Sequence, residues 1–191
     1  MATDATGARP PQDADGVAGA PAHPAVDPTA RLVAELTRRG LRIAVAESLT
    51  GGLVTAELTR IPGASLAVSG GVVAYDTAVK ASLLGVDADL LAREGAVHPE
   101  VARQMASGVR SALAVDGRPA DVGVATTGVA GPDGQDGREP GTVYVGIAGL
   151  GEPAAVELAL SGDRQAIRAA TVSAAIGAVL ARLAEASGSA E

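Results

Sequence analysis

Leu41-Arg42-Ile43-Ala44-Val45-Ala46-Glu47-Ser48-Leu49-Thr50-Gly51-Gly52 is the stretch that decides the fold. Leu41 to Ala46 reads as a buried strand, Glu47-Ser48 breaks its apolar run, and Gly51-Gly52 opens a helix that continues to about Arg60. Upstream, Asp27-Pro28 offers a capping residue and a proline at the first helical position, followed by Leu32, Val33 and Leu36 and a stop at Gly40. Downstream, Ile61 to Ser65 marks a loop. Gly71 to Tyr75 is short and β-branched, as expected of a central strand, and Lys80 follows at a helix start.

The same alternation continues. Helices are expected over about 88–93 and about 100–114, the second with Val101, Met105, Val109 and Leu113 at helical spacing. Val122 to Ala125 is a further buried strand, Gly141 to Ala148 and Ala155 to Leu160 form a hairpin, and a last helix covers about 163–186. Helices between early strands and a hairpin late predict an α/β fold, a three-layer α/β/α sandwich with a mixed, mostly parallel sheet over residues 29–187. The Ala- and Pro-rich residues 1–28 lack apolar periodicity and are expected to be a disordered tail.

Composition narrows the function classes. The 191 residues suit one domain, and with 47% hydrophobic residues but neither Phe nor Trp the core must be aliphatic. Few aromatics and a net charge of −7 argue against nucleic-acid partners, which call for stacking platforms and basic surfaces. Without cysteine there is no thiol nucleophile or disulfide. The two histidines, His23 and His98, stand far apart, so no metal site and no cofactor are expected. No secretory signal and no run near the roughly 18 apolar residues of a membrane span is visible, so a cytoplasmic protein without membrane partners is expected.

Three strand ends carry small polar residues and glycines: 46–52, 75–80 and 126–134. Ligands of open α/β sheets gather at such ends, so these loops are expected to converge. Ser48 is either a nucleophile or anion-site residue presented where strand gives way to helix, or simply the cap of that helix. A serine nucleophile needs a base; His98, before Pro99, suits a helix cap, which leaves Lys80. Lys80 is the single lysine among 15 basic residues, and an amine, unlike a guanidinium, can be tuned to exchange protons near neutrality. The alternative is an ordinary exposed lysine. Tyr75 could relay the proton or orient the amine. Arg164, with Arg168 one turn on, either binds phosphate at a helix start or is merely solvated.

Taken together, A-E-S-L-T-G-G at 46–52, P-G-A-S at 62–65, G-G-V-V-A-Y-D-T-A-V-K at 70–80, G-A-V at 95–97, T-G-V-A-G-P-D-G at 127–134, P-G-T-V-Y-V-G at 140–146 and G-D-R at 162–164 resemble the C-terminal domain of the CinA family. Stand-alone members are known as nicotinamide-nucleotide amidohydrolases. The resemblance implies hydrolysis of the carboxamide of nicotinamide mononucleotide in pyridine-nucleotide salvage, without a metal. It implies Ser48 as nucleophile, assisted by Lys80 and Tyr75, with Thr127 against the reacting group. Substrate binding would fall to Glu47, Thr50, Gly51, Gly52, Gly128 and Arg164, with the phosphate on Arg164 and oxyanion donors near Gly51, Gly52 or Gly128. A homodimer or higher homo-oligomer is expected. The N-terminal molybdopterin-binding-like domain of longer members is not expected to contribute. A non-catalytic nucleotide-binding or interaction module, or a Ser–Lys amidase for another small amide, are the other readings.

Overall fold

The computed structural model describes residues 27–188, and the expected 1–28 tail falls outside that range except at Asp27 and Pro28. Those two already belong to an ordered start. The Asp27 carboxylate accepts the Thr29 N–H at 2.9 Å and Pro28 opens α1 (Pro28–Arg39), which Gly40 ends at φ 65, its N–H reaching the Leu36 and Thr37 carbonyls. The left-handed conformation of such a cap suits glycine.

Strand β1 (Ile43–Glu47) follows, then α2 (Leu53–Thr59), β2 (Val68–Val73), α3 (Thr77–Leu84), α4 (Ala88–Glu94) and α5 (Pro99–Ala112). Strands β3 (Val122–Gly128), β4 (Thr142–Ala148) and β5 (Ala154–Ala159) lead to α6 (Arg164–Gly188). The sheet order is β2-β1-β3-β4-β5. β1 pairs parallel with β2 and β3, whereas β3, β4 and β5 pair antiparallel, so only β4 opposes the common strand direction. The mixed sheet and late hairpin match the sequence expectation. The strand around Val72 and Val73, expected to be central, is instead the edge strand β2, with β1 its one neighbour. β-branched residues report a pleated, half-buried surface and do not specify position within the sheet.

Side chains of β1 alternate between two aliphatic cores, as a strand's two-residue period requires. Ile43 and Val45 join Leu32, Leu36, Leu58, Ile176 and Val179 beneath α1, α2 and α6. Ala44 and Ala46 face Leu84, Met105 and Val109 beneath α3 to α5. The second face is built from small residues, and α5 comes so close that a Cβ at Gly123 would collide with the Ala106 carbonyl, and one at Gly146 with that of Ala102. The helical Met105 stripe is core, as its spacing suggests. Contrary to the sequence expectation, α6 is long and apolar enough to cross a membrane, but Ile167, Ala175, Ile176, Val179 and Leu183 are buried against the rest of the domain.

Because the backbone of α5 leaves no room above β4, Gly146→Ala is expected to lower unfolding free energy by about 2 kcal/mol or more. Denaturant titration checks this; an unchanged midpoint would show that α5 can lift off the sheet freely.

Candidate functional site at the strand ends

The carboxyl ends of β1, β2 and β3 lie side by side, and the three loops that leave them meet as expected. A cavity of about 260 Å³ is lined by Ser48 and Leu49, Tyr75, the segment Thr127–Gly131, Asp133–Gln135 and Arg164, with Ala96 and Val97 closing one wall. Ser48, Tyr75, Thr127, Gly128 and Arg164 are thus brought together. Glu47, Thr50, Gly51, Gly52 and Lys80 are not among the lining residues.

Each of the absent residues has a structural assignment. The Glu47 side chain is fully buried, and its carboxylate accepts the N–H groups of Gly52 (2.9 Å), Val54 (3.0 Å) and Thr55 (2.8 Å) and the Thr55 hydroxyl (2.7 Å). It therefore caps α2, which is the role left open for Ser48, and is not a ligand group. The Thr50 and Thr126 hydroxyls bond each other at 2.8 Å. Gly51 N–H donates to the Ser48 carbonyl at 3.1 Å, so neither it nor Gly52 N–H is available to an oxyanion. Gly51 and Gly52 instead supply two consecutive positive φ values, 60 and 100, for the turn. Ser48 itself is half-buried, and its hydroxyl makes no hydrogen bond with another described residue.

A second clamp was not expected. Arg168, considered with Arg164 for phosphate, donates Nε–H to the Leu49 carbonyl (3.0 Å) and Nη2–H to that of Thr50 (2.8 Å). It fixes the Ser48 turn from the α6 side. Nothing in the sequence distinguishes this arginine from a ligand-binding one, because its partners are backbone atoms more than a hundred positions away.

Lys80 is 1% exposed and sits within α3, not at its start, so the exposed-lysine alternative is overturned. Its amine donates to the Ala74 carbonyl at 2.8 Å and the Tyr75 carbonyl at 3.3 Å. Ala74 N–H in turn bonds the Glu47 carbonyl at 2.8 Å, which places the amine beside the end of β1. Burial pushes the Lys80 pKa below its ordinary value, against the opposing pull of Asp76 and Asp136. The Tyr75 hydroxyl is directed elsewhere: it accepts Arg164 Nη2–H at 3.1 Å, and the ring is largely exposed. Tyr75 thus touches Lys80 only through its carbonyl, and the expected proton relay through its hydroxyl has no direct contact with the amine.

At the end of β3, the Thr127 hydroxyl donates to the Ala96 carbonyl at 2.7 Å, and Thr127 lines the cavity. Gly128 occupies the next rung of the β1–β3 ladder after Ser48 N–H to the Thr126 carbonyl. Val129 N–H bonds Thr142, so the alternation of an antiparallel pair turns the Gly128 amide away from β4. The Ser48 carbonyl accepts from Gly51 instead, the Gly128 N–H makes no bond to it, and Gly128 lines the cavity beside Ser48. Arg164 spans to the Gly131 carbonyl through Nη1 at 2.8 Å. His98 caps α5, its Nδ1 accepting Glu100 N–H at 3.1 Å. Among the described residues no group of three or more His, Asp or Glu is arranged to hold a metal ion.

Comparison with known proteins agrees with this architecture. The CinA C-terminal domain model matches residues 26–183. A CinA-like protein of Frankia casuarinae is 49% identical over 149 residues, which cover 78% of this chain and 33% of that protein. Another from an Anaeromyxobacter species is 50% identical over 140 residues, 73% of this chain and 33% of its own length. The chain thus spans about a third of these curated relatives. A CinA superfamily protein from Klebsiella pneumoniae superposes with a TM-score of 0.77 at 31% identity, covering 83% of this chain and 96% of that structure. The competence/damage inducible protein CihA from Agrobacterium tumefaciens gives 0.74 at 35% identity, over 81% and 93%. With its sheet, strand-end loops and sequence all of one kind, the chain belongs to the CinA C-terminal domain family.

Proposed function

We propose that the chain hydrolyses the carboxamide of nicotinamide mononucleotide to nicotinic acid mononucleotide and ammonia, a salvage reaction of the cytoplasm. The observation that carries this reading is the unengaged Ser48 hydroxyl, set at one cavity with the free Gly128 N–H and the Arg164 guanidinium. Ser48 Oγ attacks the amide carbon and loses its proton. The oxygen of the tetrahedral species gathers charge, and the Gly128 N–H is the donor the fold provides for it. The C–N bond then breaks, ammonia leaves with the proton, and water cleaves the acyl–serine ester to release the acid. Arg164, anchored by Gly131 and Tyr75, is the cation for the phosphate.

Lys80 fits the proton-carrying role by counting its sites. A neutral amine has two N–H groups and one lone pair, and the Ala74 and Tyr75 carbonyls take both N–H groups. The lone pair remains to accept a proton, and burial favours this neutral form. A second reading, a non-catalytic nucleotide-binding module, is favoured by one feature: Lys80 bonds backbone carbonyls and makes no hydrogen bond to Ser48.

Ammonia release from nicotinamide mononucleotide separates the two. Turnover is expected to fall by about a thousandfold or more in Ser48→Ala while binding persists; binding without turnover in the parent protein would favour the module. Arg164→Ala is expected to raise KM about tenfold, since a charged hydrogen bond is lost. An unchanged KM would remove the phosphate from Arg164.

The pH dependence has a definite sign. The depressed Lys80 pKa means the neutral amine accumulates below pH 10.5, so kcat/KM should rise with pH along a limb centred under that value. Because Lys80 is the single lysine, isotope-labelled lysine yields one side-chain resonance to titrate. A midpoint at 10.5 or above would contradict the assignment.

A further inference from the structure

One acid and one base line the cavity, Asp133 and Arg164. They do not neutralise each other. Arg164 is held by the Gly131 carbonyl and the Tyr75 hydroxyl and forms no ion pair among the described residues, while the Asp133 side chain has no hydrogen bond or ion pair with any of them. The loop that carries Asp133 is anchored on both sides. Val129 N–H bonds Thr142 at 2.9 Å, Gln135 and Arg138 exchange backbone bonds at 3.0 and 2.8 Å, and the Asp136 carboxylate accepts Ala96 N–H at 3.0 Å. Asp133 is therefore presented by a fixed loop.

A purely anionic ligand drawn in by Arg164 would be repelled by Asp133, and a neutral one would use neither charge. The matching ligand carries separated charges of both signs. We propose that Asp133 is a specificity-determining residue that faces the cationic pyridinium ring of the mononucleotide while Arg164 takes its phosphate. The inference rests on the substrate reading above and adds to it a preference for the oxidised, positively charged ring over the neutral dihydropyridine. Asp133 is exposed, and at a partly solvent-screened contact of roughly 4 Å a carboxylate and a fixed cation separate the two ring states by about tenfold in affinity.

The test is calorimetric binding of nicotinamide mononucleotide and of its reduced dihydro form to Ser48→Ala protein, which cannot consume the ligand, with and without Asp133→Asn. Asparagine keeps the hydrogen-bonding oxygen and removes the charge. The expected result is about a tenfold preference for the cationic form that disappears in Asp133→Asn, while affinity for the dihydro form stays unchanged. That unchanged affinity also reports an intact fold. Equal binding of the two forms by the parent, or a preference that survives Asp133→Asn, overturns the inference. Binding of neither form contradicts the substrate reading itself and this inference with it.

Discussion

The buried Glu47 carboxylate is the constraint on which the site depends. A carboxylate without water is costly unless every lone pair is answered, and here the answer comes from three backbone N–H groups and one hydroxyl at the start of α2. Those donors are the ones a helix start leaves open, and the helix dipole favours an anion there. The last residue of β1 is thereby tied to the first turn of α2, and residues 48–51 have to fold into a tight turn between them. Arg168 closes that turn from α6 by holding two of its carbonyls. Ser48 is presented by its neighbours' bonds, and its own hydroxyl is left without a partner among the described residues.

Lys80 is positioned by the same ladder. Glu47 holds Ala74 through a backbone bond, and Ala74 holds the amine. A buried cation loses hydration, so the position that brings the amine to the strand ends also eases its proton away, against the pull of Asp76 and Asp136. The small residues on the α5 side of the sheet serve this arrangement, because they let the helical layer sit close above Ala44 and Ala46. An arginine in place of Lys80 would keep its charge in the same surroundings.

Much of this was legible in the sequence where the signal is local. The cap at Asp27-Pro28, the Gly40 stop, the apolar run into Glu47-Ser48 and the hairpin after Gly141 are all carried by neighbouring residues, and the structure has them. The convergence of three loops followed from strand ends alone. What the sequence hid depends on distant partners. Val72 and Val73 announce a strand without saying that it lies at the edge. Glu47 and Thr50 sit inside the motif yet turn inward, because motif spacing does not reveal which side of a turn a side chain takes. Tyr75 stands five positions from Lys80, but its hydroxyl is claimed by Arg164 from the far end of the chain.

If the amide is broken through an ester on Ser48, hydroxylamine intercepts that ester by acyl transfer. During turnover of nicotinamide mononucleotide, an acyl–enzyme divides between water and the added amine. The expected product is a hydroxamate of the nucleotide whose share grows with hydroxylamine while the acid falls in proportion. Turnover that yields only the acid at every hydroxylamine concentration would contradict it and assign the attack to water.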